Sequence, residues 1–176
     1  MFVLLGASFF LKHKFLVILE GKSYSWVQVT SHFMMQISLI EKAIEMALKA
    51  HAGQKDKGGA PYIFHPLRLM LAMQTDEEKM TAILHDVVED SAVTLDDLRA
   101  AGFPNKVIEA VDLLTRKKED SYEAFIEKIK PHSLARRVKM ADLRDNLEID
   151  RITHPTEKDF ARLEKYKKAL GVLEPQ

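Results

Sequence analysis

The sequence contains no cysteine. Disulfides, thiolate metal sites and thiol nucleophiles are therefore excluded, and any bound metal must rest on His, Asp or Glu. It also lacks an excess of either charge: Lys plus Arg and Asp plus Glu both number 26 in 176 residues. No global field draws the chain to nucleic acid or to an anionic membrane, so a polyanionic ligand has to be gripped locally. No apolar run approaches the roughly 20 residues that span a bilayer. The run Met1 to Leu11 is stopped by Lys12, His13 and Lys14. A secretory signal needs a basic stretch ahead of its apolar run and a small-residue cleavage site, and neither is clear, so no export is read. A cytoplasmic protein is the expectation. Internal repeats and low-complexity linkers are missing as well.

What is present is 47% apolar residues, enough for one substantial core in a chain of single-domain length. The first 37 residues stand apart, holding five of the nine Phe and the lone Trp26. Phe15 to Leu19 and Ser25 to Thr30, on either side of Glu20-Gly21-Lys22, have the composition of a hairpin. Residues 1–37 are expected to be an N-terminal extension, either from a start codon assigned too far upstream, the favoured reading, or a tail packed on the domain. Residues 38–176 are the expected domain.

From Ser38 onward the periodicity is helical. Ser38 and Glu41 form a capping-box signature ahead of Ile40, Ile44, Ala47 and Leu48, and Gly53 ends that helix. A polar loop from Lys55 to Pro61 leads to a short helix entered near Pro66. Thr75 and Glu78 repeat the capping box before a helix carrying Met80, Ile83, Leu84, Val87 and Val88. Thr94 with Asp97 caps a brief helix closed by Gly102, Pro104 opens one through Leu114, and Ser121 opens one through Ile129. Ser133 is expected to cap a helix reaching Leu147, and Thr156 with Asp159 a final one. The expected fold is all-α, an irregular bundle of seven or eight helices.

Four potential ligands fall on separate helices: His65, the pair His85-Asp86, and Asp142. Two imidazoles and two carboxylates suit an octahedral divalent ion with positions left for water and substrate. A His-Asp dipeptide alone is weak evidence, because such pairs occur by chance and buried ones are usually hydrogen-bonded core residues. The frame HDVVED is more informative. On a continuous helix Glu89 and Asp90 would lie four residues beyond His85 and Asp86, on the same faces. Such a concentration of carboxylates desolvates poorly without a cation. For Asp90 alone, a solvated acidic helix end is the plain alternative.

The segments GQKDKGGAPYIFHP, AILHDVVED and VKMADLRDN resemble, in order, three motifs of the RelA/SpoT hydrolase domain, an HD-type fold. The resemblance runs from about Ser38 to Leu173. It implies manganese bound by His65, His85, Asp86 and Asp142, with Glu89 and Asp90 positioning or activating the attacking water. It further implies Lys57 near the substrate phosphates and Asn146 at the family's Asn position, with Lys139 and Arg144 as added candidates for offsetting phosphate charge. For Arg136 and Arg137 a solvated helix face is the plainer reading, and for His51 a packing role.

Two departures bear on substrate. Asp56 stands where the family commonly has an Arg against the guanine base. After the Asp of the third motif the family pattern Arg-Leu-His-Asn-Met-Arg-Thr becomes Leu143-Arg144-Asp145-Asn146-Leu147-Glu148-Ile149. The resemblance implies a stand-alone hydrolase that removes the 3′-diphosphate from a (p)ppGpp-like alarmone. The alternatives are an HD phosphohydrolase for another nucleotide, such as an adenosine alarmone or a nucleoside monophosphate, and a metal-containing module that binds nucleotide without turnover. The expected partner is a small nucleotide, with no nucleic acid and no membrane.

Overall fold

The computed structural model describes residues 14–17, 25–28 and 38–174. The chain separates into two compact units, 1–36 and 37–176. In the first, β1 (Lys14–Val17) pairs antiparallel with β2 (Ser25–Gln28), with Phe15 opposite Val27. This is a shorter form of the hairpin expected from composition. The run Met1 to Leu11, His13 and His32 lie outside the described residues.

The second unit is all-helical. It comprises α1 (Leu39–Ala50), α2 (Phe64–Leu71), α3 (Asp76–Leu84), α4 (Val87–Asp90), α5 (Leu95–Ala100), α6 (Asn105–Leu114), α7 (Tyr122–Ile129), α8 (Ser133–Leu147) and α9 (Glu157–Leu173). A 3-10 turn, Ile149–Arg151, precedes α9. The capping boxes expected at Ser38, Thr75, Thr94 and Thr156 are all formed. Each satisfies backbone N–H groups that the first helical turn leaves without partners. Ser133 is not a cap: His132 takes that place, its Nδ1 accepting from Ala135 N at 3.2 Å.

One helix more than expected arises at the His85-Asp86 pair. The helix read as running from Thr75 through Val88 breaks at His85-Asp86 into α3 and α4. His85 Nδ1 lies 2.8 Å from the carbonyl of Ala82, the oxygen that Asp86 N would reach in a continuous helix. The ladder resumes with Asp90 N donating to Asp86 O.

Two apolar clusters meet along α3 and α6. Ala82, Ala110 and Leu114 join Leu69, Phe125, Ile129, Val138, Leu143 and Leu173 on one side. Ile83, Leu84, Val107 and Val111 join Ala47, Val87, Leu98 and Phe103 on the other. Fully burying a Leu or Val side chain stabilises by about 1.5–3 kcal/mol. The helix carrying His85 is thereby gripped on both flanks. No helix among the described residues is long and apolar enough to cross a membrane.

Candidate metal centre

Three elements bring the expected ligands together. α2 presents His65 from its first turn, the end of α3 presents His85, and the middle of α8 presents Asp142. One ligand atom from each lies within 4.8 Å of the other two, and all three residues are buried. His65 Nε2 is 3.2 Å and His85 Nε2 4.0 Å from Asp142 Oδ1. Asp86 stands at the rim, its Oδ2 3.0 Å from His85 Nε2 and accepting the hydroxyl proton of Tyr62.

The donor set fits a divalent cation. His85 is 2% exposed, and its Nε2 makes no hydrogen bond despite the nearby Asp86 carboxylate. A buried ring nitrogen without a hydrogen-bond partner is uncommon in a native interior. Facing two carboxylates, it has the chemistry of a ligand atom. The protons show the same demand for positive charge. Burial opposes the His65 cation, yet hydrogen bonds to Asp142 and Asp145 outweigh it and push the imidazole up to about 9. Burial likewise opposes the Asp142 anion, but Lys139, His65 and His85 hold its carboxyl far below the usual range.

The remaining candidates separate into groups. Lys139 Nζ lies 2.7 Å from Asp142 Oδ2 and 5.3 Å from the Phe125 ring centroid, largely enclosed beside that carboxylate. Asn146 donates Nδ2 to Asp142 Oδ1 at 2.6 Å, orienting that carboxylate with its amide protons. Lys57, on the glycine loop, meets Asp159 at 2.7 Å. Glu89 and Asp90 are exposed, and Glu89 Oε2 accepts from Arg116 N at 2.9 Å. Arg144 is outside this group: it lies 3.4 Å from Glu174 and lines a neighbouring depression with Arg137. Arg137, expected on a solvated face, pairs with Glu78 at 3.0 Å. His51 is buried beside Tyr62, with Nδ1 2.9 Å from Gln54 Oε1, in keeping with a packing role.

A cleft of about 230 Å³ opens beside the cluster, with Lys57, His65, Arg68, Asn146, Arg151 and Arg162 among its lining residues. Asp56 lines it too, but its Oδ1 accepts from Ala60 N at 2.9 Å and closes the loop. Gly58 is needed there, since a Cβ would collide with the Arg151 carbonyl.

Sequence reasoning passed over Tyr62, Arg68, Asp145 and Arg151. Asp145 was readable: it lies three residues beyond Asp142 on one helix, as Arg68 lies three beyond His65. Arg151 follows α8 in a 3-10 turn with no periodicity to mark it.

No family model matches the chain. It is similar to a guanosine-3′,5′-bis(diphosphate) 3′-pyrophosphohydrolase of Vibrio cholerae, 38% identical over 108 residues, covering 57% of this chain and 15% of that protein. A bifunctional (p)ppGpp synthase/hydrolase SpoT of Escherichia coli is 34% identical over 108 residues, with the same coverage of 57% and 15%. A GTP pyrophosphokinase of Streptomyces coelicolor is 40% identical over 81 residues, or 44% of this chain and 9% of that one. The chain thus spans 15% or less of the length of these curated relatives. Among solved structures, it matches a protein described as a metazoan orthologue of SpoT that hydrolyses ppGpp and plays a role in starvation responses. The TM-score is 0.66 at 23% identity, covering 78% of this chain and 86% of that one. This likeness bears out the all-helical fold expected from the helical periodicity and caps.

Proposed function

We propose that residues 38–176 form a cytoplasmic, manganese-dependent hydrolase that removes the 3′-diphosphate from a (p)ppGpp-like nucleotide. The observation that carries the reading is the buried convergence of His65, His85 and Asp142, with Asp86 at the rim and His85 Nε2 lacking a hydrogen bond. The curated relatives named for this hydrolysis support it.

His65, His85, Asp86 and Asp142 would hold the cation, which when bound supplies Lewis-acid charge for phosphate hydrolysis. Tyr62 and Asn146 orient the two carboxylates by donating to Asp86 Oδ2 and Asp142 Oδ1. Water adds to the phosphorus attached to the ribose 3′-oxygen, the bond to that oxygen breaks, and diphosphate leaves as the 3′-oxygen gains a proton. Asp90 and Glu89 handle the protons. Lys57 gives its ammonium to the diphosphate by exchanging Asp159 for a phosphate oxygen.

Asp56 favours a second reading, hydrolysis of an adenosine alarmone or another nucleotide. A carboxylate cannot supply the cation-to-ring contact that an Arg gives a purine, worth up to about 2 kcal/mol when desolvated. Its engagement with Ala60 N–H turns one oxygen toward the loop.

Diphosphate and phosphate release from guanosine and adenosine 3′-diphosphates and from nucleoside monophosphates, with Mn²⁺ added, tests both readings. The first expects diphosphate from the guanosine substrate. Preference for adenosine, reversed by Asp56→Arg, favours the second. Absence of turnover on every substrate would leave a binding module and sink both.

A further inference from the structure

The Asp145 carboxylate makes more side-chain hydrogen bonds than that of either expected carboxylate ligand, Asp86 or Asp142. Its Oδ2 lies 2.7 Å from His65 Nδ1. Arg68 meets it through two parallel bonds, Nε to Oδ1 at 2.7 Å and NH2 to Oδ2 at 2.9 Å. Arg151 adds NH1 to Oδ1 and NH2 to Oδ2, both at 3.1 Å, and NH2 also donates to the Asp145 carbonyl. The carboxylate is thus gripped from α2 and from the 3-10 turn, while it sits on α8 itself. Paired guanidinium bonds of this kind fix orientation as well as position.

We infer that Asp145 is the positioning residue for His65, and that Arg68 and Arg151 hold Asp145 in place for that task. An imidazole has one proton to place between two nitrogens when neutral, and its second hydrogen bond decides which. With Asp145 accepting from Nδ1, the lone pair belongs to Nε2, the atom directed at Asp142 Oδ1. Carboxylate partners of this sort orient metal-binding imidazoles and strengthen them as ligands. His85 reaches the same end differently, through the Ala82 carbonyl. The usual RelA/SpoT pattern has His at this position, so the device belongs to this chain's own departure in the third motif. Neither the motifs nor the expected ligand set assigns Asp145 a role.

This inference rests on reading the cluster as a metal centre, but its test needs no substrate. Mn²⁺ is titrated into the full chain and free Mn²⁺ followed by electron paramagnetic resonance, for wild type, Asp145→Ala and Asp145→Asn. The tautomer of His65 is read from ¹⁵N shifts of the Zn²⁺-loaded proteins. Asp145→Ala is expected to weaken Mn²⁺ binding about 10–100-fold. His65 should then lose its single Nδ1-protonated form while His85 keeps its own. A role confined to folding would lower the melting temperature and leave both readouts unchanged. If Asp145→Ala does not fold, Asp145→Asn decides by Mn²⁺ binding alone: it retains an acceptor for His65, and so its tautomer, but loses the charge that holds the arginines, so a loss of about tenfold is expected. Mn²⁺ binding within twofold of wild type in a folded variant, or an unchanged His65 tautomer in folded Asp145→Ala, overturns the inference. So does a wild type that binds no Mn²⁺. A wild type that binds Mn²⁺, loses it with Asp145, and hydrolyses no nucleotide supports this inference while refuting the proposed activity.

Discussion

Lys57 Nζ lies 2.7 Å from Asp159 Oδ1, so the lysine proposed to meet substrate phosphates has a carboxylate partner from α9. Asp159 also accepts from Thr156 N at 3.0 Å in the capping box of α9, which fixes it at the helix start. A phosphate, with more charge and more acceptor atoms, should displace Asp159 from the ammonium. Lys57→Ala is therefore expected to raise KM for the nucleotide about tenfold, the scale of one lost hydrogen bond to a charged group. Steady-state kinetics with a parallel Mn²⁺ titration check this. Weakened Mn²⁺ binding, or a loss confined to kcat, would contradict the assigned role.

Asp142 has a second partner in Lys139, which is largely enclosed with it. Removing one member of a buried pair leaves the other charge uncompensated, at a cost of about 3–5 kcal/mol. Asp142→Ala should therefore lose Mn²⁺ and also unfold at lower urea concentration. Adding Lys139→Met should restore more than half of the lost stability without restoring Mn²⁺. Urea unfolding and elemental analysis of both variants separate the two effects. A double variant that recovers metal would remove Asp142 from the ligand set.

The sequence made the helices and three converging candidate ligands legible for a physical reason: caps and apolar periodicity are local, and His65, His85 and Asp142 each fall within or at the end of a helix that they mark. The break at His85-Asp86 was illegible because the Val87-Val88 stripe continues the period of α3, and only the ring's contact with the Ala82 carbonyl interrupts it. The Asp145 cluster was missed because its arginines come from α2 and a 3-10 turn, joined only in three dimensions. Arg144, three residues before the helix end, was placed by analogy alone and pairs with Glu174.

Glu78 caps α3 by accepting from Gln74 N at 3.0 Å and Thr75 N at 3.2 Å, and pairs with Arg137 of α8. Burial favours its neutral form, but these partners prevail and its carboxyl titrates below its ordinary 4.5. A depressed carboxyl adds stability above the unfolded value and loses it as pH falls through the folded one. Glu78→Gln should thus cost about 0.5–1 kcal/mol at pH 7. The cost should fade below about pH 4.5. Urea midpoints across pH 3–7 check the sign; a deficit that grows toward acid would contradict it.

The two compact units suggest that the helical one stands alone. A chain beginning at Met35 is expected to melt within a few degrees of the full protein and to keep its Mn²⁺ affinity, since every proposed ligand follows Ser38. Calorimetry and Mn²⁺ titration decide. A large fall in both would make the hairpin unit part of the domain.

Glu89 and Asp90 share one proposed task but not one environment. Glu89 Oε2 accepts from Arg116 N, a bond that a glutamine carbonyl can also accept. Asp90 has no such anchor; although the residue is exposed, partial desolvation of its carboxyl together with the carboxylates of Asp86 and Glu89 raises it above the usual range. A carboxylate whose proton is held more tightly is a better proton acceptor than an ordinary aspartate, and positioned proton transfer contributes about 10²–10⁴-fold to rate. Asp90→Asn should accordingly lower kcat by about 10² or more while the protein keeps its Mn²⁺. Glu89→Gln should lose about tenfold, because the loop contact survives and only the charge is gone. Single-turnover hydrolysis on Mn²⁺-loaded protein separates this chemical step from binding. Equal losses in both variants, or a larger loss at Glu89, would reverse the assignment, and loss of Mn²⁺ from Asp90→Asn would move that residue into the metal shell.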